Sequence, residues 1–282
     1  EEKGLLDYDK PMAHYWPEFA RQGKQEITVR QLVNHRSGLC AIDEPLSLQR
    51  VLEWDPVVAA LEAQVPEWEP GADQGYGAVA MGAYVGELVR RITGKGAGEL
   101  LQEYVCAPLG SDTTIGIPGG VGDSIATIYP ITRKQMITKV LPKFVASRST
   151  DAALYRAIAK RGSLTRRSVA NPAALGVRGI GNFNRPEVRS AVLPWVNGFS
   201  TARGLAKIYA AMALGGSLGN ENVFESSGLL SLQRRQSWSG RDRVVLKPLG
   251  FSQGFVKDTI DLFSPNPETF GHPGAGGSVG FA

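Results

Sequence analysis

The stretch that most constrains the fold of this chain lies near its carboxyl end, where residues 270–278 read FGHPGAGGS. Its four glycines let the backbone pass very close to another segment or to a ligand. His272 lies beside that accessible backbone, and the combination indicates a functional site. The alternative is a glycine-rich turn between two strands with an incidental histidine. Only the context of Tyr76, far upstream, favours the site.

The chain is long enough to build a sizeable core, since 43% of its 282 residues are apolar. No segment approaches the roughly 18 consecutive apolar residues that a membrane-spanning helix needs, because Glu87 interrupts the best candidate. The first residues are acidic and lack an apolar core, so no signal peptide is visible. We therefore expect a soluble globular protein without a membrane span.

Cysteines and histidines are few. Cys40 and Cys106 do not suffice for a disulfide framework and lack metal-ligand spacing, which favours a reducing compartment such as the cytoplasm. His14, His35 and His272 are scattered, and no two of them lie at helical spacing with an acidic residue. We predict neither a metal site nor a cofactor.

Positive charge is concentrated in one block. The net charge is +4, yet residues 133–167 contain ten basic side chains and a single acid, Asp151. Such a block can attract phosphates, anionic lipid headgroups or acidic substrates. Its only aromatic residues are Phe144 and Tyr155, which is not the interleaving that base stacking favours. Solvated helix faces are the favoured interpretation, and no nucleic-acid partner is predicted.

Start and stop signals predict helices around Tyr76 and elsewhere. Thr28 to Gln31 have the form of a capping box, with a stop at Ser37 and Gly38, and Asp55 followed by proline is a second helix start. A third helix begins at Thr201. The apolar stripe of a fourth ends at Gly94 and comprises Val85, Leu88, Val89 and Ile92. Tyr76 therefore lies on a loop just before a helix.

The carboxyl-terminal part changes character, with short β-like runs at 244–247, 249–257 and 269–272. Helices thus precede strands, which predicts an α+β fold. We expect one domain over 1–282, with a mainly helical part with long loops at 1–215 and a β-rich part at 216–282 that contributes to a central sheet.

Six segments in order resemble the serine β-lactamase and penicillin-binding-protein-like hydrolases, in the class C branch that also holds family VIII carboxylesterases. They are residues 4–9, 27–39, 75–76 leading into 86–95, 108–110, 197–206 and 271–278. The resemblance covers nearly the whole chain. It implies a β-lactamase/transpeptidase-like fold, with a helical subdomain and an antiparallel sheet flanked by helices. We expect that sheet to be incomplete within residues 1–282.

Enzymes of this kind carry Ser-x-x-Lys on a helix, Tyr-x-Asn on a loop, and Lys-Thr-Gly or His-x-Gly on a strand edge. The set suits acyl transfer, because a serine hydroxyl needs a nearby base and the oxyanion needs backbone N–H donors. By resemblance, Tyr76 is a proton shuttle between nucleophile and leaving group. His272 replaces the lysine and hydrogen-bonds substrate or Tyr76. Gly274 allows close substrate approach, and the N–H of Ala275 is one oxyanion donor.

The chain departs from this pattern at two points. Ala78 occupies the asparagine position, which disfavours an amide such as a β-lactam and favours an ester. Ser-x-x-Lys does not occur in residues 1–282, and the resemblance places it shortly before residue 1. Two Gly-x-Ser-x-Gly matches, at 215–219 and 276–280, lack the strand-turn-helix context of a nucleophile elbow. We interpret both as chance.

The leading hypothesis is therefore a carboxylesterase that acts on a small-molecule ester through an acyl-enzyme on a serine upstream of residue 1. Residues 1–282 alone are then predicted to be inactive. The alternatives are a catalytically inactive relative with a binding or structural role, and a β-lactamase or D-alanyl-D-alanine peptidase-like amidase. Trp195 and Phe199 are candidates for lining the substrate pocket, with core packing as the alternative. The oligomeric state stays open.

Overall fold

The fold is α+β, as the order of patterns predicted. A computed structural model describes residues 2–120, 122, 125–142, 150–176, 179–257, 263–274 and 277–282. Helices occupy much of the described chain up to Ala213, and a five-stranded antiparallel sheet is drawn from residues between Ser237 and Phe281. Among the described residues, no helix is both long and apolar enough to cross a bilayer.

The helices are mostly short, and several continue as a turn of tighter or wider pitch. The α-helices span Met12–Tyr15, Val29–Val33, Leu48–Glu53, Asp55–Ala63, Ala80–Thr93, Ala97–Leu101, Ala107–Leu109, Arg133–Gln135, Thr150–Ala159, Leu164–Ala170, Pro186–Ser190, Ala202–Ala213 and Ser226–Gln233. The 3-10 turns span Pro17–Ala20, Pro118–Gly120, Ala173–Leu175 and Ile180–Asn184, and π-helical turns span Gln102–Cys106 and Met136–Val140.

The strands form two small antiparallel pairs and one larger sheet. Strand β1 (Thr114–Ile115) pairs with β2 (Gly198–Phe199), and β3 (Ser217–Leu218) pairs with β4 (Glu221–Asn222). The larger sheet is a meander in chain order of five antiparallel strands, which are β5 (Ser237–Ser239), β6 (Leu249–Ser252), β7 (Phe255–Lys257), β8 (Phe270–Pro273) and β9 (Val279–Phe281).

The helix that follows Tyr76, Ala80–Thr93, lies at the centre of the main hydrophobic core. Its Tyr84 is fully buried and its ring contacts Phe19 and Trp16, with ring centroids 5.7 and 6.2 Å apart. Burial of one such side chain stabilises the fold by about 1.5–3 kcal/mol. Gly94 ends the helix at φ 71°, as predicted for a left-handed C-cap. The core thus fixes the helix onto which the Tyr76 loop leads.

Two predicted helix boundaries were wrong. The capping box at Thr28 and Gln31 is present, but the helix ends at Val33, before the predicted stop at Ser37 and Gly38. Asp55 is the first helical residue and not the N-cap; Trp54 takes that position at φ 65°. In both cases a residue other than glycine has a positive φ, His35 at 58° and Trp54 at 65°, which the pattern of glycines and cap residues does not reveal.

Two predicted strands also need correction. Residues 244–247 are not a strand; a turn at 243–245 takes its place, because the side chain of Asp242 accepts the N–H groups of Val244 and Val245 at 2.8 and 3.0 Å. Such a side-chain hydrogen bond two residues on competes with strand pairing. The run 249–257 is divided into β6 and β7 by a turn in which Gln253 has φ 47° and Gly254 has φ 92°.

Two arginines of the basic block form contacts with other segments of the fold. Arg167 forms ion pairs with Asp43 at 2.5 Å and with Glu67 at 2.6 Å, and Arg166 donates to the carbonyl of Ile158 at 3.1 Å. The helix predicted around 134–145 is present up to residue 142, and its remainder lies outside the described residues. These contacts account for the last two arginines of the block.

Candidate active site

Tyr76 lies on the loop between Gln74 and Val79, immediately before the central helix. The loop is tightly packed, since a Cβ atom on Gly75 would lie 2.6 Å from the Trp68 ring. Glycine is therefore required there by close approach of side chain to backbone. The sequence-based placement of Tyr76 on a loop before a helix is confirmed.

Hydrogen bonds hold the backbone of Tyr76 on both sides. Its N–H donates to the two carboxylate oxygens of Asp242 at 3.0 and 3.2 Å, and its carbonyl accepts from Ser168 Oγ at 3.0 Å. Asp242 is fully buried and also accepts from the side-chain amide of Gln74 at 3.3 Å. Burial raises the pKa of Asp242, and the N–H groups of Val245, Val244 and Tyr76 oppose that rise.

His272 lies on β8, which runs between β7 and β9. It is opposite Gly280 in the register, and a Cβ atom on the preceding Gly271 would lie 2.4 Å from the Gly280 carbonyl oxygen. The close pairing of β8 and β9 therefore depends on glycine at this point. Phe270, one side-chain repeat before His272, is buried at 2% exposure and anchors the strand.

The structure brings Tyr76 and His272 together across 196 residues of sequence. Tyr76 Oη and His272 Nε2 lie 3.5 Å apart, at the outer limit of a hydrogen bond. His272 Nδ1 lies 2.8 Å from the carbonyl oxygen of Pro273. Because a carbonyl only accepts, Nδ1 carries the proton, and burial lowers the pKa of His272 so that the ring is neutral. Nε2 is then unprotonated, and the Tyr76 hydroxyl donates towards it.

The phenol of Tyr76 is held in an aromatic setting. Its ring stacks on Phe251 of β6 with centroids 6.1 Å apart, and His35 meets it edge to face at 5.2 Å. Burial, followed by the charge of Asp242, raises the pKa of Tyr76 to about 12. At neutral pH this phenol is therefore protonated and can donate a proton. To accept a proton it must first be a phenolate, and a neighbouring positive charge is needed to stabilise that form.

The predicted oxyanion region is only partly described. Gly274 is exposed; its N–H donates to the Ser278 carbonyl at 2.7 Å and its own carbonyl accepts from Gly277 N at 3.0 Å. A Cβ atom at Gly274 would lie 2.2 Å from Ser278 Oγ, so a neighbouring side chain already occupies the space that glycine leaves free. Ala275, whose N–H the resemblance makes an oxyanion donor, lies outside the described residues.

Trp195 and Phe199, the two candidates for lining the substrate pocket, lie in different surroundings. Trp195 stacks on Trp54 with centroids 5.9 Å apart, and a Cβ atom on Gly82 would lie 2.7 Å from the Cβ and 2.9 Å from the Cα of Trp195. The described contacts of Trp195 thus join it to the helical core. Phe199 pairs with Thr114 through β2 and lines a cavity of about 60 Å³. Its neighbours in that cavity include Ile128, Phe183 and Val196.

Sequence reasoning missed two residues that shape the site, Asp242 and His35. His35 Nδ1 accepts the N–H of Gly77 at 3.1 Å, and the His35 carbonyl accepts the N–H of Gly75 at 3.0 Å. A usable signal for His35 was its place directly after a short capped helix. Asp242 lies 166 residues from Tyr76, and no local pattern links the two. Among the described residues, no cluster of three or more histidine, cysteine or acidic side chains could hold a metal.

The α+β fold of this chain is β-lactamase-like and transpeptidase-like. The Beta-lactamase family model matches residues 1–282, and the chain belongs to that family. It is 32% identical over 282 residues to the esterase/beta-lactamase LipL of Mycobacterium tuberculosis, covering 99% of this chain and 61% of LipL. The chain therefore spans less than two thirds of that relative.

Solved structures agree with this assignment. A family VIII carboxylesterase superposes with a TM-score of 0.78 at 36% identity, covering 99% of this chain and 68% of that one. EstA from Arthrobacter nitroguajacolicus gives 0.77 at 30% identity, covering 100% and 70%. A penicillin-binding protein homologue from Caulobacter crescentus gives 0.76 at 28% identity, covering 100% and 68%. The family is one of β-lactamase-like serine hydrolases, and carboxylesterases are among its similar structures.

Proposed function

We propose that the protein is a carboxylesterase that cleaves small-molecule esters through an acyl-serine intermediate. The observation that carries the proposal is that the Tyr76 hydroxyl is directed at the unprotonated Nε2 of a neutral His272, with 3.5 Å between Oη and Nε2. The backbone of the tyrosine is fixed by Asp242 and Ser168, so the phenol is preorganised for proton transfer. The esterase names of LipL and of the family VIII structure support the same reaction.

In the acylation step, a serine oxygen bonds to the ester carbonyl carbon and its proton passes to the Tyr76 oxygen, which a neighbouring positive charge has made a phenolate. The C–O bond to the alcohol then breaks, and the departing alkoxide needs a proton. Tyr76 supplies it, because a phenol with a pKa of about 12 is still a stronger acid than an aliphatic alcohol. A water molecule then attacks the acyl-serine, the carboxylic acid leaves, and the serine regains a proton. Tyr76 and His272 pass this proton in the reverse direction.

Residues 1–282 do not contain the motif that supplies the nucleophile in this proposal, since Ser-x-x-Lys is absent from them. The proposal requires that element from outside this range. Its lysine would supply the positive charge that a phenol with a raised pKa needs before it can accept the serine proton. Residues 1–282 alone are accordingly proposed to be inactive.

An ester is preferred over an amide because of Ala78. A methyl side chain neither donates nor accepts a hydrogen bond, so the position cannot bind the amide group of a β-lactam or peptide. Ala78 lies two residues after Tyr76 and its N–H donates to the Tyr76 carbonyl at 3.2 Å. Its side chain therefore projects from the same short loop that holds the phenol.

The test uses the complete gene product, with p-nitrophenyl esters of increasing acyl length and a chromogenic cephalosporin as substrates. A fluorophosphonate probe labels an activated serine independently of substrate choice. We expect ester turnover, labelling of one serine, and labelling lost when that serine is replaced by alanine. Residues 1–282 expressed alone should neither turn over ester nor label.

Three outcomes would contradict the proposal, wholly or in part. Turnover of the cephalosporin with no ester hydrolysis would favour an amidase, and this would also remove the argument from Ala78. No turnover and no labelling of the complete gene product would favour an inactive relative with a binding or structural role. Labelling of a serine within residues 1–282 would retain a hydrolase but place the nucleophile elsewhere.

A further inference from the structure

His35 occupies a backbone position that usually belongs to glycine. It follows the short helix Val29–Val33 and its C-cap Asn34, and has φ 58°, in the left-handed region. Its N–H donates to the Leu32 carbonyl at 3.0 Å, and the next N–H donates to the Gln31 carbonyl at 2.8 Å. This pair of hydrogen bonds is the Schellman ending of a helix, where glycine is the common residue. A histidine there demands a reason in its side chain.

The side chain contacts the loop of Tyr76. Gly77 N–H donates to His35 Nδ1 at 3.1 Å, and Gly75 N–H donates to the His35 carbonyl at 3.0 Å. One residue thus binds the chain immediately before and immediately after Tyr76. Its ring also lies 4.1 Å from Phe251 and 5.2 Å from the Tyr76 ring, between centroids.

The hydrogen bond from Gly77 fixes the protonation of the ring. Because a backbone N–H only donates, Nδ1 must be unprotonated, and the proton of the neutral ring lies on Nε2. Nε2 is buried and has no hydrogen-bond partner among the described residues. Burial, followed by the nearby His272, lowers the pKa of His35 to about 3, so the acceptor at Nδ1 persists at neutral pH. The fold thus retains both an unusual φ and an unpaired donor here.

We propose that His35 is a positioning residue for Tyr76, whose Nδ1 acceptor holds the loop so that the phenol meets His272. His35 itself touches neither substrate nor the reacting atoms in this proposal. The inference rests on the proposed function, since it assigns His35 a purpose in that reaction. Its geometric half, the hold on the Tyr76 loop, is measurable without catalysis.

Three substitutions separate the acceptor from the backbone conformation. His35→Asn keeps a residue that tolerates the left-handed region and places Oδ1 near the position of Nδ1. His35→Gly relieves the backbone and removes the acceptor. His35→Gln offers an acceptor that is one bond too far from the backbone. If the role were only structural, glycine would be the best replacement; if Nδ1 is what matters, asparagine is.

Kinetics of ester hydrolysis by the complete gene product form the first arm. We expect His35→Gly and His35→Gln to lower kcat by about 100-fold with KM little changed, because a misplaced catalytic group costs on the order of that factor. His35→Asn should recover most of the wild-type kcat. Melting temperatures establish that each variant is folded. A glycine variant with wild-type kcat, or an asparagine variant as impaired as the glutamine variant, would overturn the inference.

Selective NMR labelling forms the second arm and needs no activity. In wild-type protein, the ¹⁵N shifts of the His35 ring should report a neutral ring protonated on Nε2 at every pH from 5 to 8. The ¹³Cζ shift of Tyr76 should move in His35→Gly and His35→Gln and return in His35→Asn. If the complete gene product lacks hydrolase activity, the proposed function fails alone and these shifts decide the positioning role. A His35 ring protonated on Nδ1, or a Tyr76 shift unaffected by all three variants, would refute that role.

Discussion

Asp242 holds the N–H of Tyr76 with both carboxylate oxygens, at 3.0 and 3.2 Å, although 166 residues separate them. The same carboxylate accepts Val244 N–H and Val245 N–H, so it joins the turn before β6 to the tyrosine loop. A carboxylate is suited to this position because it only accepts, and every group directed at it is a donor. Its charge also contributes to the raised pKa of Tyr76.

Replacing that carboxylate is therefore expected to destabilise the fold. Asp242→Asn turns one oxygen into a donor that faces other donors, and should lower the free energy of unfolding by about 3 kcal/mol. Asp73→Asn is the matched control, because Asp73 pairs with Arg243 at 3.1 Å while 34% of its side chain is exposed, and should cost less than about 1 kcal/mol. Urea denaturation measures both. Equal losses in the two variants would contradict this account of Asp242.

The half-buried Tyr76 and the fully buried Tyr84 should show opposite effects when the hydroxyl is removed. Tyr76→Phe should lower ester kcat of the complete gene product by about 10²–10⁴-fold, since a proton-transfer group is lost. Its stability should hardly change, because the hydroxyl only approaches His272 at 3.5 Å. Tyr84→Phe removes a 3.0 Å hydrogen bond to the buried Leu61 carbonyl and should cost about 1 kcal/mol of stability. Its kcat should be retained; a similar kcat loss in both variants would argue against a specific role for Tyr76.

The pairing of Tyr76 with His272 was within reach of the sequence, because each lies in a short motif and the motifs occur in family order. The residues that hold them in place were not. Asp242 acts on backbone N–H groups brought near it by the turn, and composition does not encode such contacts. His35 was interpreted as part of a helix that stops at Gly38, whereas the helix ends at Val33 and His35 takes the left-handed position. Glycine is the residue that pattern reasoning expects there.

Acid should destabilise the protein through His35. In the unfolded chain His35 takes up a proton near its ordinary pKa of 6.5, whereas the folded pKa is about 3. The unfolded state therefore binds more protons in this window, and the free energy of unfolding falls as the pH falls from about 6.5 towards 3, by up to about 1.4 kcal/mol per pH unit. The lowered pKa of His272 acts in the same direction.

The variant His35→Asn isolates this contribution. Removing the titrating ring should make the slope of unfolding free energy against pH shallower by about 1.4 kcal/mol per pH unit between pH 6 and 4. Chemical denaturation of the wild type and of this variant at a series of pH values measures the two slopes. A slope unchanged in His35→Asn would mean that His35 is protonated in the folded state.

Ala78 offers a test of substrate preference at the loop of Tyr76. Introducing an amide with Ala78→Asn should raise the kcat/KM for a chromogenic cephalosporin relative to that for p-nitrophenyl butyrate by about tenfold, the value of one added hydrogen bond to substrate. Ala78→Leu is the matched control, because leucine has the same number and branching of heavy side-chain atoms as asparagine without its donor and acceptor. If leucine shifts the ratio as asparagine does, then the space at position 78, and not its hydrogen bonding, sets the preference. If asparagine leaves the ratio unchanged, the absence of the amide group does not explain a preference for esters, and the shape of the acyl pocket must do so.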